Sequence, residues 1–293
     1  VTTCVVAVTS ITIASSFAVR HASAIDATYA CGTSGSYSIS DGMVTGNIGC
    51  SGAVSIHSSA TSIGNNAFRD ASISSISFPD SISSIGDSAF RGTTLLTSIT
   101  LPPHLTTIGG QAFDGSAFSS IVIPDSVTSV GWGFLQMNTH LTSVTLGSGI
   151  TSLPDCTFQW TRNLPSITIP DNITSIGYGA FSGAGLNSIN MGNGLTTIGP
   201  DAFVNNHLTS ITLGPALTTI GAGAFAGNPD LNSYIVAGNP NYSTLNGILF
   251  NADRTKLIAY PPNASPTYTI PNTVTTIGGG AFRGIGLTSI TIP

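Results

Sequence analysis

The chain has 293 residues and a formal net charge of −5; only 6% of its side chains are charged, glutamate is absent and Lys256 is the single lysine. Seven scattered basic residues cannot neutralise a row of phosphates, which argues against nucleic-acid binding. No uninterrupted apolar stretch reaches the roughly 18–20 residues of a membrane-spanning helix, and scarce lysine and glutamate speak against long surface helices. Serine and threonine fill 77 positions and hydrophobic residues 41%, enough for a large core and too apolar for disorder.

In chain order, residues 1–35 read as an extended segment, 36–62 as a divergent first rung or cap, and 63–293 as a repeat array. The first segment has two main readings. The apolar stretch from Val5 to Val19, followed by Ala22-Ser23-Ala24, has the outline of a signal-peptide remnant, though without an initiator Met or basic leader. Alternatively, Val8-Thr9-Ser10-Ile11-Thr12-Ile13 imitates the last rung, Leu287-Thr288-Ser289-Ile290-Thr291-Ile292, and is an assembly strand. A strand paired within its own chain is the third choice. Cys31 and Cys50 bracket the divergent rung and are expected to form a disulfide there. Cys4 and Cys156 are open to pairing within or between chains, and spacing does not decide.

From residue 63 the string I-G-x-x-A-F governs the chain. It starts at Ile63, Ile85, Ile108, Ile176, Ile198, Ile220 and Ile277, with degenerate copies at Val130 and Leu153. Successive copies lie 22 or 23 residues apart, until a step of 57 before the last. Upstream of each string, a segment such as Ser98-Ile99-Thr100-Leu101-Pro102 has period two, so Ile99 and Leu101 point inward and the hydroxyls outward. Proline stops that strand and glycine permits the corner. A unit this short buries its apolar face only by stacking on copies of itself. The expected fold is a mostly β solenoid of about ten rungs roughly 4.8 Å apart. Ile76, Ile99, Ile121, Val144, Ile167, Ile189, Ile211 and Ile290 would form one inward ladder and the phenylalanines another. Within the long step, at about 234–270, Ile248 to Phe250 and Leu257 to Tyr260 flank a polar turn and predict a hairpin.

The repeat resembles the BspA-type, or Treponema pallidum-type, leucine-rich repeat. The inserted Asn239-Pro240-Asn241-Tyr242, Gly247-Ile248-Leu249-Phe250 and Leu257-Ile258-Ala259-Tyr260-Pro261 resemble that family's extra hairpin. The resemblance implies a leucine-rich-repeat solenoid and an extracellular or cell-surface, non-catalytic role in adhesion, matrix or structure, without naming a ligand.

Asn172-Ile173-Thr174, Asn241-Tyr242-Ser243 and Asn263-Ala264-Ser265 match the N-glycosylation acceptor pattern, although chance matches are expected in so polar a chain. No nucleophile elbow, zinc motif or phosphate loop occurs, so neither an enzyme, a cofactor nor a metal is expected. Asp80, Asp125 and Asp171 follow proline in equivalent turns and read as turn-capping residues rather than a calcium column.

Two roles remain. The sequence reading favours head-to-tail polymerisation, with Val8, Ile11 and Ile13 of one copy completing the rung of Ile290 and Ile292 in another. The alternative is a monomeric adhesin for protein or glycan ligands. A smaller option is ice or polysaccharide binding on the Ser/Thr face, where Ser98, Ser120, Ser143, Ser166, Ser188 and Ser210 form one column.

Overall fold

The computed structural model describes residues 26–293, and among these all regular structure is strand, with no helix. Cys4, Val8, Ile11 and Ile13 lie outside the described residues. The rungs coil into a solenoid with three walls, each built by a different part of the repeat.

The first wall carries the Ser-Ile-Thr strands, paired parallel with like against like. Ser120–Val122 pairs with Ser143–Thr145, Ser166–Thr168 with Ser188–Asn190, and Ser210–Leu213 with Ser233–Val236. The wall is not one sheet but a series of such pairs. One gap has a cause in the sequence. The residue ahead of the serine donates its N–H to the preceding rung, as Thr142 does to Ser119 and Asn187 to Pro165. Pro165 has no N–H to give, and the strands at Ser143 and Ser166 do not pair. Residues 98–102, expected as a strand, form none. Phe78 and Phe118, at sites where most rungs carry Leu or Ile, bracket that stretch from the rungs on either side.

The second wall is the Ser-Ile pair that opens each string. It runs as Ser62–Ile63, Ser84–Ile85, Thr107–Ile108 and Ser129–Val130, and again from Ser152–Leu153 to Thr219–Ile220. Ile63, Ile85, Ile108, Leu153, Ile176 and Ile198 are all buried.

The third wall is the A-F turn. The second variable residue of the string has positive φ in every copy: Asn66, Ser88, Gln111, Gly133, Cys156, Gly179, Asp201, Gly223 and Gly280. So does the residue four places later, from Asp70 to Gly284. These two left-handed residues turn alternate N–H groups along the stack, so Asn66, Phe68 and Asp70 donate to Asp87, Ala89 and Arg91. The wall thus has a backbone ladder without being a sheet, and the variable positions favour Gly, Asn and Asp for that reason. Inside it the rings stack, with Phe68–Phe90 centroids at 5.4 Å, Phe158–Phe181 at 5.0 Å and Phe181–Phe203 at 5.2 Å. The column is imperfect at the degenerate copies, where Phe134 and Phe158 are tilted by 57°.

Ala27–Cys31, Gly35–Ser40 and Met43–Ile48 form an antiparallel meander whose last strand pairs parallel with Ser62–Ile63. The strand Ala27–Cys31 therefore belongs to the cap, which begins before residue 36. A disulfide joins Cys31 to Cys50 across this meander. Tyr37 closes the core beneath it, donating to the Ser55 carbonyl and accepting from the His57 N–H.

The insertion is larger than a hairpin. Tyr242–Leu245, Ile248–Asn251 and Lys256–Ala259 form a three-stranded antiparallel unit, and its third strand also pairs parallel with Thr276–Ile277. The step of 57 residues skips no rung on the first wall, because Ser233–Val236 and Thr267–Thr269 take rung places with Tyr234 and Tyr268 at the ladder position. On the turn wall Gly223 donates directly to Gly279, but Tyr260, not Phe225, donates to Ala281. Tyr260 replaces the expected phenylalanine, its ring 5.6 Å from that of Phe282. The core divides here into a main cluster and a smaller one around Phe250, Leu257, Tyr260 and Ala281.

Candidate functional surfaces

The strand wall presents the hydroxyl columns to solvent. Ser98, Ser120, Ser143, Ser166, Ser188 and Ser210 are exposed, as are Thr100, Thr145, Thr168, Asn190 and Thr212 in the next column. Pairing in register fixes their spacing: Ser143 lies opposite Ser120 and Thr145 opposite Val122. Neither column contains a charged residue. Val122, exposed at 61%, interrupts the hydroxyls with an apolar patch. Contact with such a face strips water from hydroxyls rather than from ions, which lowers the desolvation cost.

The sequence-selected residues fall in separate places. Ile290 and Ile292 lie on the last rung and are 40% and 68% exposed. Ile290 is therefore not buried in the ladder as its counterparts Ile121, Ile167 and Ile211 are. Cys156 is buried on the turn wall and is disulfide-bonded. The three sequon asparagines all use their side-chain amides inside the fold. Asn172 donates to the Ile150 carbonyl, Asn241 to that of Leu217 and Asn263 to the side chain of Asn232. A glycan on any of them would have to replace that bond. Asn172 repeats the role of Ser81 and Ser126, whose hydroxyls donate to Ala60 and Leu105 of the preceding rung.

The carboxylates are used in the same way. Asp125 accepts from the Ser148 N–H and Asp171 from that of Asn193, each tying one turn to the next rung. The Ser148 N–H and hydroxyl hold the Asp125 carboxyl below its ordinary range, and the Thr255 hydroxyl and N–H do so for Asp253. Asp114 moves the other way: burial raises it, outweighing the attraction of Arg91 and Arg69. Among the described residues no group of three or more His, Cys, Asp or Glu is placed to hold a metal ion.

Sequence reasoning missed the buried polar ladder under the turn wall. Asn138, Asn206 and Asn228 are buried eight residues after the leading aliphatic of their strings. Asn206 donates to the carbonyls of Phe181 and Phe203 and accepts from the N–H groups of Gly185 and Leu186. The available signal was the recurrence of Thr93, Ser116, Asn138, Thr161, Asn206 and Asn228 at one phase of the repeat.

This three-walled stack, with an asparagine ladder and inward aliphatic columns, defines a leucine-rich-repeat solenoid. The BspA type leucine rich repeat region matches in six copies over residues 61–159, 151–265 and 259–293, and the chain belongs to that family. Among solved structures it is similar to a leucine-rich repeat protein from Bacteroides ovatus, at 26% identity and a TM-score of 0.65. That match covers 82% of this chain and 65% of the other, so the chain spans somewhat less than two thirds of that relative. A leucine rich cell surface protein from Faecalibacterium prausnitzii shares the fold at 21% identity and TM-score 0.59, over 90% of this chain and 76% of that one. The T. pallidum leucine rich repeat protein does so at 24% and 0.52, over 64% of this chain and 82% of its own. No curated protein matches the chain significantly.

Proposed function

We propose that this is an extracellular, non-catalytic repeat protein that works by contact, as an adhesin whose strand wall is the binding face. The observation that carries the reading is the uncharged hydroxyl face, in register within each strand pair and interrupted by Val122, Asn190 and Ile235. The cell-surface description of the F. prausnitzii relative fits this setting. In the test, wild type and a Thr145→Arg/Thr168→Arg variant are applied to plates coated with extracellular-matrix proteins and to insoluble polysaccharide. Both positions are exposed, so thermal stability is expected to hold. Retention of wild type and loss of the variant supports the reading; equal behaviour of the two sinks it.

A second reading is end-to-end assembly of copies, supported by the likeness of Val8-Thr9-Ser10-Ile11-Thr12-Ile13 to the strand segment Leu287-Thr288-Ser289-Ile290-Thr291-Ile292. A strand such as Val8 to Ile13 has the pattern to pair there. Electron microscopy of wild type beside Ile292→Asp decides it. Filaments with an axial repeat near one solenoid length, about 50 Å by rung spacing, and lost in the variant, support assembly. Single rods in both samples end it.

A further inference from the structure

The turn wall, away from the strand face, holds a groove that the reading above does not use. It has a volume of 240 Å³ and is lined by Gln159, Trp160, Tyr178, Asp201, Asn205 and Arg283. Four different rungs supply these residues. Arg283 reaches from the rung after the insertion to Asp201, 82 residues earlier, and closes one end with an ion pair at 2.6 Å. It passes over Gly223, where a Cβ would come within 2.7 Å of the Asp201 carboxylate and 3.3 Å of the guanidinium.

The groove's polar groups are not spent on the fold. Gln159 is only 3% exposed; its Oε1 accepts from Gln136 at 2.9 Å, while its Nε2 has no partner among the described residues. Gln159 lines the groove, so this amide is a donor open to whatever enters it. The side-chain amide of Asn205 and the hydroxyl of Tyr178 likewise have no partner among the described residues, so the lining supplies donors and acceptors. Two aromatic side chains, Trp160 and Tyr178, contribute to the lining. Asp201 is neutralised by Arg283, so the charges that line the groove are paired; Arg162, outside the lining, rests its guanidinium 5.6 Å from the Trp160 ring.

We propose that this groove binds a neutral saccharide, one ring at the end or branch of a glycan. A pyranose combines apolar C–H surface for aromatic walls with hydroxyls that both donate and accept, matching the indole, the phenol and the amides. An anionic or cationic ligand would find its counter-charge already paired. The volume is below the roughly 300–1,000 Å³ of sites for drug-sized ligands, which suits one ring rather than a chain.

The experiment uses the full chain with Trp132→Phe, so that Trp160 is the only indole reporter. Its fluorescence is titrated with the methyl glycosides of glucose, galactose, mannose and N-acetylglucosamine, and with sorbitol as an acyclic polyol. A saturable change with at least one glycoside and none with sorbitol is expected. Binding should weaken about tenfold or more in Gln159→Ala, the worth of a buried hydrogen bond of about 1.4 kcal/mol. Asn205→Gly, at an exposed position whose left-handed backbone glycine adopts freely, is the second variant and keeps the test intact if Gln159→Ala fails to fold. No saturable response to any glycoside, an equal response to sorbitol, or undiminished binding in Asn205→Gly and a folded Gln159→Ala overturns the proposal.

Discussion

The string that begins at Ile176 and ends at Phe181 recurs at Ile277 and ends at Phe282, yet Ile176 is 1% exposed and Ile277 is 45%. Phe181 lies between Phe158 and Phe203, with ring centroids at 5.0 and 5.2 Å and planes within 18° and 7° of parallel. Phe282 instead meets Tyr260 and Tyr268 at tilted angles in a small separate cluster. Burial here belongs to the pair of neighbouring rungs and not to the string, as expected when each repeat's stability is set largely by its interfaces. The three-stranded insertion trades the stacked column for a tyrosine cluster and so divides the core into two clusters.

Four experiments press on that contrast. Phe181→Ala opens a cavity in a fully packed column and should cost about 3–5 kcal/mol in chemical denaturation. Phe282→Ala, partly exposed, should cost less than half as much; equal losses would mean the two clusters pack alike. Asn206→Ala leaves buried carbonyls and N–H groups without partners, at about 1–3 kcal/mol for each group left unpaired. The same phase of the last rung carries Ile285, which makes no such bonds, so Ile285→Ala should be felt only as lost apolar contact.

The third experiment uses pH. Burial raises the hydroxyl pKa of Tyr234, Tyr242, Tyr260 and Tyr268, all in or beside the insertion. A folded pKa above the unfolded value of about 10 means the stabilisation is whole below that pH and is lost as pH rises through the folded value. Alkali should therefore loosen the insertion block before the regular stack, seen by hydrogen exchange or limited proteolysis. Tyr234→Phe should move that transition to higher pH. Simultaneous loss of both regions would show that they unfold as one unit. The smallest effect is expected from Arg283→Ala: the arginine of its ion pair with Asp201 is half exposed, so the loss should be about 0–1 kcal/mol and fade further with salt.

The solenoid, its 22- and 23-residue rungs and the place of the insertion were legible in the chain because each rests on periodicity and local turn chemistry. Alternation placed the serines outside and the isoleucines inside, and I-G-x-x-A-F marked each corner. Even the left-handed residues had a trace, in the Gly, Asn and Asp at Gly179, Asn66 and Asp201. Other features depend on which rung lies beside which. No local pattern says that Pro165 leaves a gap because Thr142 is its neighbour, that Tyr260 takes the place of Phe225 under Phe282, or that Asn172 spends its amide on Ile150. Nor does any motif bring Gln159, Tyr178, Asn205 and Arg283 to one groove. The sequence by itself determined the repeating unit, since period and propensity act over a few residues. The tertiary structure alone decided which polar groups are satisfied and which remain free to bind, because that depends on partners about 22 or more residues away.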